Sequence, residues 1–582
     1  MKPELRKGSR SRYLAGALFV IATIFVIRLF YLQIIQHGHY VELANAEQVK
    51  KETIPATRGE IYALNGSTPV KLVLNQNVYT VFVDPVEVTD KAKLVSTMNA
   101  IAGGNVRDNF ASLIDDKQSR YQVIATRVSY DQAQKIKAVG LKGIGFQAIS
   151  QRVYPEGSLA SQVLGFVNAD GVGNYGVEGY LNDELKGVDG RLQTVTDVSD
   201  VPLTIGNDNV RVPAQNGKNV VLTIDRNVQA KVEQALADGV QRSHTTNASA
   251  VVLDPHTGRI MAMANVPTYD PSQYYNVTDA SLFNNDVISA PYEPGSDVKT
   301  YTMATAIDKG VAKASDTYDN TDYIKVEDIT ISNATKGHTG VISFQTALDW
   351  SLNTGFVTIA ERLGDGKNIT KEARDTMYEY FHDRLHLGQL TGVELANESP
   401  GIIISPNDVQ GNAVRYSNMS FGQGLDATML QVASGFSAII NGGNYYKSTV
   451  VDGTISDDGT FNQAPTPQPI ETGAVKESTS QQILDMTHTA RSSGFPHIDK
   501  PGYYVGGKTG TSQVIVNGQY SNTETIGTYL GYGGNSPDNP QYVIMVTISG
   551  KDKIMGGAQD AMPIFTDISN WMLDYLKIQP KG

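Results

Sequence analysis

Apolar positions along this chain fall into three regimes. Near the start, "YLAGALFVIATIFVIRLFYLQII" runs from Tyr13 to Ile35, interrupted only by Thr23, Arg28 and Gln33. At about 1.5 Å per residue, such a helix crosses a hydrocarbon layer roughly 30 Å thick. From there to about residue 220, short apolar runs alternate with turn residues, and "VYTVFVDP", "YQVIATRV" and "GIGFQAI" predict strands. The glycine-dense stretch from Gly165 to Gly190 predicts tight turns. Next, "KNVVLTIDRNVQAKVEQAL" predicts a strand, an Asp225 N-cap and an amphipathic helix, with a boundary near residue 215. "ASAVVLDPHTGRIMAMANV" predicts a hairpin, and "GTYLGYGG" and "QYVIMVTIS" predict further strands. Ile564, Phe565, Ile568, Trp571, Met572, Tyr575 and Leu576 recur at helical spacing, so a closing helix packs one face on a core.

Charge orients the first segment. Lys2, Arg6, Lys7, Arg10 and Arg12 precede it against one acid, Glu4, so residues 1–12 stay cytoplasmic and the rest is exported. A cleaved signal peptide has a shorter apolar region followed by a small-x-small site. Here the bulky "FYLQIIQHGHY" follows, which favours an uncleaved, single-pass anchor over 13–35. Arg28 snorkels to the outer interface or pairs with a partner helix. With 582 residues the chain holds two to four domains. Hydrophobic content of 40% and charge of 19% suit a folded protein, and the net charge of -12 disfavours bulk nucleic-acid binding. The absence of cysteine excludes disulfides, zinc-thiolate and iron-sulfur sites.

Candidate chemistry starts at "YEPGSDVKTY". Pro294-Gly295 ends extended chain, and a helix continues to a C-cap at Gly310. Ser296 then lies at a helix N-terminus, where the dipole and free amides favour an alkoxide and an oxyanion on the Ser296 amide. Lys299, three residues on, shares that face and takes the serine proton if burial and a second cation depress its pKa. A serine N-cap with an unremarkable lysine reads equally well, but this is the only Ser-x-x-Lys in the chain. "YYVGGKTGTSQV" supplies a second cation, Lys508, followed by Thr509, Gly510 and Thr511. Without a side chain, Gly510 lets another backbone approach, and such an edge strand suits a peptide added as a further strand. Lys508 would bind a carboxylate, and the Thr511 amide would complete an oxyanion hole. A bridging hydroxyl and amide come from Ser-x-Asn, which occurs as Ser351-Leu352-Asn353 and Ser405-Pro406-Asn407. The first sits between helices and is favoured; the second, with its proline, reads as a turn or helix start.

Ser296-x-x-Lys299, Ser351-x-Asn353 and Lys508-Thr509-Gly510, in that order, resemble the three motifs of the penicillin-binding protein and serine β-lactamase superfamily. "FGQG" at 421–424, "VVLDPHTGRIMAMA", "LTIDRNVQ" and "ATRGEIYALNG" further resemble class B penicillin-binding proteins over nearly the whole chain. The resemblance implies an α+β fold: an elongated mixed pedestal over 36–214, then a transpeptidase domain over 215–582 with an antiparallel sheet flanked by helices. It also implies a septal peptidoglycan D,D-transpeptidase acting through a serine acyl-enzyme, acylated by β-lactams and needing no cofactor or metal. Ser296 would be the nucleophile and Lys299 the base. Ser351 and Asn353 would relay protons and position substrate, and Lys508, Thr509, Gly510 and Thr511 would hold the donor stem peptide. Implied partners are stem peptides (a D-Ala-D-Ala donor and an amine acceptor), the plasma membrane, a polytopic glycosyltransferase and other divisome or elongasome proteins. Two departures stand out. Asp297 replaces a common threonine, and Ala63-Leu64 replace Asp-Arg in the pedestal motif, which questions its salt bridges.

Other signals weigh less. His382 and His386 have metal-ligand spacing but no following glutamate or third ligand. The Tyr-rich "PTYDPSQYYN" reads as a surface loop. A β-lactam hydrolase needs a water-activating base that is not identifiable, a sensor needs more membrane segments, and an inactive scaffold does not need Ser296, Lys299 and Lys508.

Overall fold

The computed structural model describes residues 9–40, 49–195, 210–516 and 518–581. The basic Lys2, Arg6 and Lys7 lie outside the described residues. Two compact units emerge, residues 1–57 with 187–217, and residues 58–186 with 218–582.

In the first unit, helix α1 (Ser9–Phe30) continues in wider turns over Tyr31–Ile35. The span Arg10–Ile35, 26 residues, contains an 18-residue stretch of mean hydropathy 2.4 and is long enough to cross a membrane. The Thr23 hydroxyl donates to Phe19 O at 2.8 Å, so this polar group is satisfied within the helix. Arg28 lies over the Tyr31 ring at 5.6 Å. The same unit contains a three-stranded antiparallel sheet of Val49–Ile54, Gly190–Val195 and Val210–Val212.

The second unit opens with a seven-stranded sheet. Strand Thr68–Val83 pairs with Ile61–Asn65, Gln122–Ser129 and Ile144–Val153, so the three apolar runs predicted as strands share one sheet. Val81, Leu94, Met98, Ile124, Val128 and Ile136 close a local core against it. Strand Asn219–Asp225 joins the same sheet, parallel to Ile61–Asn65 and antiparallel to Val451–Ile455. One cut between the units, at residues 217 and 218, falls close to residue 215, and the strand just beyond it is hydrogen-bonded to one near residue 61 in the same unit.

Ala63 is buried and Leu64 half-buried on Ile61–Asn65. The pedestal has an ion cluster despite these substitutions. Glu178, with no exposure, accepts from Arg58 at 2.5 Å and from Arg152 at 2.8 Å.

Asp225 caps helix α2 (Arg226–Arg242), accepting from Asn227 N at 2.8 Å and Val228 N at 3.1 Å. A five-stranded antiparallel sheet follows. Its strands are β1 (Asn247–Leu253), β2 (Ile260–Val266), β3 (Tyr504–Val516), β4 (Gln519–Gly534) and β5 (Pro540–Ser549), in spatial order β2-β1-β5-β4-β3. Alternate residues face opposite ways. Ala248, Ala250, Val252, Ile544 and Val546 pack with α2 and the closing helix α6 (Met562–Tyr575). Val251, Leu253, Val543 and Met545 face the helices α3 (Lys299–Lys309), α4 (Asn353–Arg362) and α5 (Met429–Ile440). Burial on both faces explains near-continuous apolar runs in place of alternation. On α6 the buried face is Ile564, Phe565, Ile568, Met572 and Leu573, whereas Leu576, expected there, is 37% exposed. The Tyr-rich segment is also more than a surface loop: Tyr274 stacks on Phe166 at 4.4 Å and Tyr269 is buried against Phe283.

Candidate active site

Gly295 takes φ +62°, and a tight turn over Gly295–Val298 feeds into α3, which ends at Gly310 with φ +74°. Gly295 N donates to Gly422 O at 2.9 Å. A Cβ on Gly422 would stand 1.8 Å from Gly295 O, and one on Gly295 would stand 2.9 Å from Thr511 O. The turn carrying Ser296 is thus clamped between the Gly422 loop and β3, beside Thr511. Ser296 itself is half-buried and lines a cleft of about 630 Å³ with Ser351, Asn353, Thr509, Gly510 and Thr511. Its hydroxyl has no hydrogen-bond partner among the described residues.

Beneath the cleft lie the two lysines. Lys299 has no exposure, and its Nζ sits 2.7 Å from Ser351 O, 2.8 Å from Asn353 Oδ1 and 3.1 Å from Ser351 Oγ. Burial, and then the charge of Lys508, push its pKa well down. Lys508, 3% exposed, donates to Ser351 Oγ at 3.0 Å and Thr509 O at 2.9 Å. Burial lowers its pKa, while Asp297 and Asp349 work the other way. One hydroxyl, Ser351 Oγ, therefore bridges both amines. Ser351 follows helix Phe344–Asp349 and takes φ +54°, which turns the chain sharply before α4 begins at Asn353. The structure brings all eight residues singled out in the sequence to this one place. Ser405-Pro406-Asn407 is a turn and not a helix start: Asn407 N donates to Ser405 Oγ at 3.3 Å, away from the cleft.

β3 is the edge strand of its sheet, paired with β4 alone. Its outer edge is the one wall of the cleft able to accept an extended peptide as an added strand. A side chain at Gly510 would meet Thr528 Oγ1 at 2.1 Å and Asp297 Oδ2 at 3.0 Å. Beneath Gly510, therefore, stand the side chains of Thr528 and Asp297.

Sequence reasoning missed the opposite rim. The hairpin Tyr323–Val326/Ile329–Ser332 lies over Asn353, whose Nδ2 donates to Ser332 O at 3.0 Å. Buried Asn333 ties this hairpin to α4, accepting from Thr354 N at 3.0 Å. No motif marks these residues in "NTDYIKVEDITISNATKG". A second cavity of about 730 Å³ shares only Asn418 with the cleft and contains none of the predicted residues.

Comparison with known proteins agrees with this architecture. Residues 248–570 match the family model described as penicillin binding protein transpeptidase domain, and residues 53–222 match a penicillin-binding protein dimerisation domain. The chain is 30% identical to stage V sporulation protein D of Bacillus subtilis, over 98% of this chain and 87% of that one. It is 26% identical to the peptidoglycan D,D-transpeptidase FtsI of Buchnera aphidicola, over 97% of this chain and 95% of that one. Among solved structures, penicillin binding protein 3 from Mycobacterium tuberculosis complexed with aztreonam superposes with a TM-score of 0.67 at 26% identity, covering 91% of this chain and 98% of that one.

Proposed function

This chain belongs to the penicillin-binding protein transpeptidase family, and from that membership we propose that it cross-links peptidoglycan through a serine acyl-enzyme on Ser296. The enzyme is a peptidoglycan D,D-transpeptidase. One observation carries the assignment of residues: a lysine without exposure is joined through a single hydroxyl to a second buried lysine, in the cleft that holds Ser296.

The Ser296 proton passes to the neutral amine of Lys299 as Oγ bonds the carbonyl carbon of the penultimate D-alanine. Amides of Ser296 and Thr511 receive the oxyanion. Collapse breaks the carbon–nitrogen bond, and the proton held at Lys299 goes, by way of the Ser351 hydroxyl, to the departing amine of the terminal D-alanine. An amine from a neighbouring stem then attacks the ester. Its proton passes to Lys299 and on to Ser296 Oγ as the ester bond breaks. Asn353 positions Lys299 and the substrate amide. Lys508 supplies the charge, and Thr509 and Thr511 the hydroxyls, that hold the donor carboxylate, with Gly510 contributing backbone to the donor and leaving room beneath the strand for Thr528 and Asp297. β-Lactams enter as mimics of the donor and acylate the same oxygen.

The reading extends to place. α1 anchors the chain in the plasma membrane with its basic end cytoplasmic and residues 215–582, the transpeptidase domain, outside. Residues 36–214 serve as its pedestal, beside a polytopic glycosyltransferase and other wall-synthesis proteins. We extend the reading to a septal role, which similarity to a stage V sporulation protein and to an FtsI supports.

The test uses cells in which the native copy is depleted and membranes are labelled with a fluorescent penicillin. Wild-type chain should label stably and restore septation; Ser296→Ala should do neither. Labelling of Ser296→Ala at the wild-type rate refutes the assignment, rapid loss of label points to a hydrolase, and rounded instead of filamentous depleted cells move the role to the lateral wall.

A further inference from the structure

The mechanism leaves one ionisable group of the site unused. Asp297, beside the nucleophile, has no exposure. Its Oδ2 accepts from the Thr528 hydroxyl at 2.7 Å, and its Oδ1 is buried without a partner. The carboxyl lies against the underside of β3, where a Cβ on Gly510 would stand 3.0 Å from Oδ2. A carboxyl in such a place is costly unless a nearby charge offsets its desolvation. The ionisable groups facing it are Lys508 from β3, Tyr292 from the segment before the nucleophile, Tyr301 from α3 and Tyr529 from β4. Of these, Lys508 is the cation.

The two lysines are not equivalent. Lys508 has carboxylates in electrostatic reach, Asp297 and Asp349. Lys299 touches only neutral acceptors, Ser351 O, Ser351 Oγ and Asn353 Oδ1, and its one charged neighbour repels it. We propose that Asp297 is a positioning residue that fixes the site's positive charge on Lys508 and so leaves Lys299 as the neutral, proton-accepting amine. The hydrogen bonds of Ser351 fit this division. Its Oγ accepts from Lys508 at 3.0 Å and from Lys299 at 3.1 Å, so it joins the two amines without adding charge beside either.

The inference rests on acylation at Ser296, and the experiment separates the two. Full-length protein in membranes is acylated with a fluorescent penicillin from about pH 6 to about pH 9.5, as wild type, Asp297→Asn and Asp297→Thr. Asparagine keeps the volume and an acceptor for the Thr528 hydroxyl, and threonine removes the charge with a smaller side chain, so a folding defect in one still leaves the other to be read. In wild type, the rate should fall as pH rises through about 8, where Lys508 loses its proton. In both variants this limb should move down by about one pH unit, lowering the rate at pH 8.5 by up to about tenfold. The methyl ester of the same penicillin has no carboxylate for Lys508 to hold, and its rate should change less than about threefold. An unlabelled wild type overturns the acyl-enzyme reading itself. A labelled wild type with an unmoved limb in the variants, or equal losses on acid and ester, overturns the role of Asp297 alone.

Discussion

Substituting Gly422 by alanine should disable acylation without touching any reacting group. Gly422 has φ +91°, and an added Cβ would stand 1.8 Å from Gly295 O, 2.4 Å from Gly295 C and 2.7 Å from its Cα. These are backbone atoms, so no side chain can swing aside. Real Cβ contacts require at least 3.0 Å, so the turn before Ser296 must retreat by at least about 1.2 Å. A misplacement on the order of 1 Å costs roughly 10²-fold in rate. Overpacking adds about 1–3 kcal/mol of instability and the positive φ about 1–2 kcal/mol. Gly424 is the control. It shares the loop and a positive φ of 74°, but its nearest neighbour would be Arg415 Cγ at 3.6 Å. Gly424→Ala should therefore cost only the backbone term and keep acylation within a few-fold of wild type. Rates of labelling by fluorescent penicillin, paired with thermal melts, decide the matter. Wild-type acylation by Gly422→Ala, or an equal loss in both variants, would refute the view that the Gly422 loop sets the position of the nucleophile.

Two further outcomes concern stability. Arg58→Met should destabilise the protein by about 3 kcal/mol, because buried Glu178 then keeps only Arg152 as a cationic partner; a denaturant midpoint equal to wild type would contradict this, and acylation by the folded fraction should not change. Glu361 holds its proton up to about pH 7, chiefly through burial and then through Asp365, whereas the unfolded chain releases it near 4.5. Its contribution is therefore complete below about pH 4.5 and lost as pH rises through 7, so Glu361→Gln should gain about 1 kcal/mol over wild type at pH 8 and nothing at pH 4.5, after allowance for its partial exposure; equal gains at both would rule out titration as the cause.

Those parts of the fold that depend on local chemistry were legible. Asp225 caps α2, the Asp-Pro-His-Thr-Gly stretch joins β1 to β2, and the three apolar runs between residues 78 and 149 pair as strands. Spacing and motif order also led to six residues that line the cleft and to the two lysines beneath it. Partnerships across distance were not legible. Nothing near residue 215 announces that Asn219–Asp225 pairs with Ile61–Asn65, because an apolar strand looks the same whichever strand it pairs with. The loss of Asp-Arg at positions 63 and 64 suggested a weakened pedestal, yet its ion cluster is assembled from Arg58, Arg152 and Glu178. Ser351 was legible as the bridging hydroxyl between helices, but the positive φ that aims it was not, since such a φ on a non-glycine leaves no mark in the sequence.

Helix α3 shows why burial, more than spacing, gives the site its chemistry. From Lys299 to Asp308 every residue is buried, although the segment includes a lysine, three threonines, a tyrosine and an aspartate. A helix buried all round is ordinarily apolar all round. This one is tolerated because each polar group has a fixed partner. Thr300 donates to Asp297 O at 2.7 Å, Thr302 to Ser420 O at 2.8 Å and Thr305 to Tyr301 O at 2.9 Å. At the far end Asp308 accepts from Lys476 N at 2.6 Å, Tyr380 at 2.6 Å and Thr479 at 2.8 Å. The bonds of Thr302 and Asp308 reach other elements and are satisfied only in one position of the helix, so they hold it against sliding, whereas those of Thr300 and Thr305 are local and only satisfy buried hydroxyls. The nucleophile is thereby carried on a rod pinned along its length, and Lys299 is kept in a medium where the neutral amine is the favoured form. A more apolar α3 would bury Lys299 equally well but would leave the helix free to shift by a fraction of an ångström. Its polarity follows from the precision of placement that acyl transfer demands.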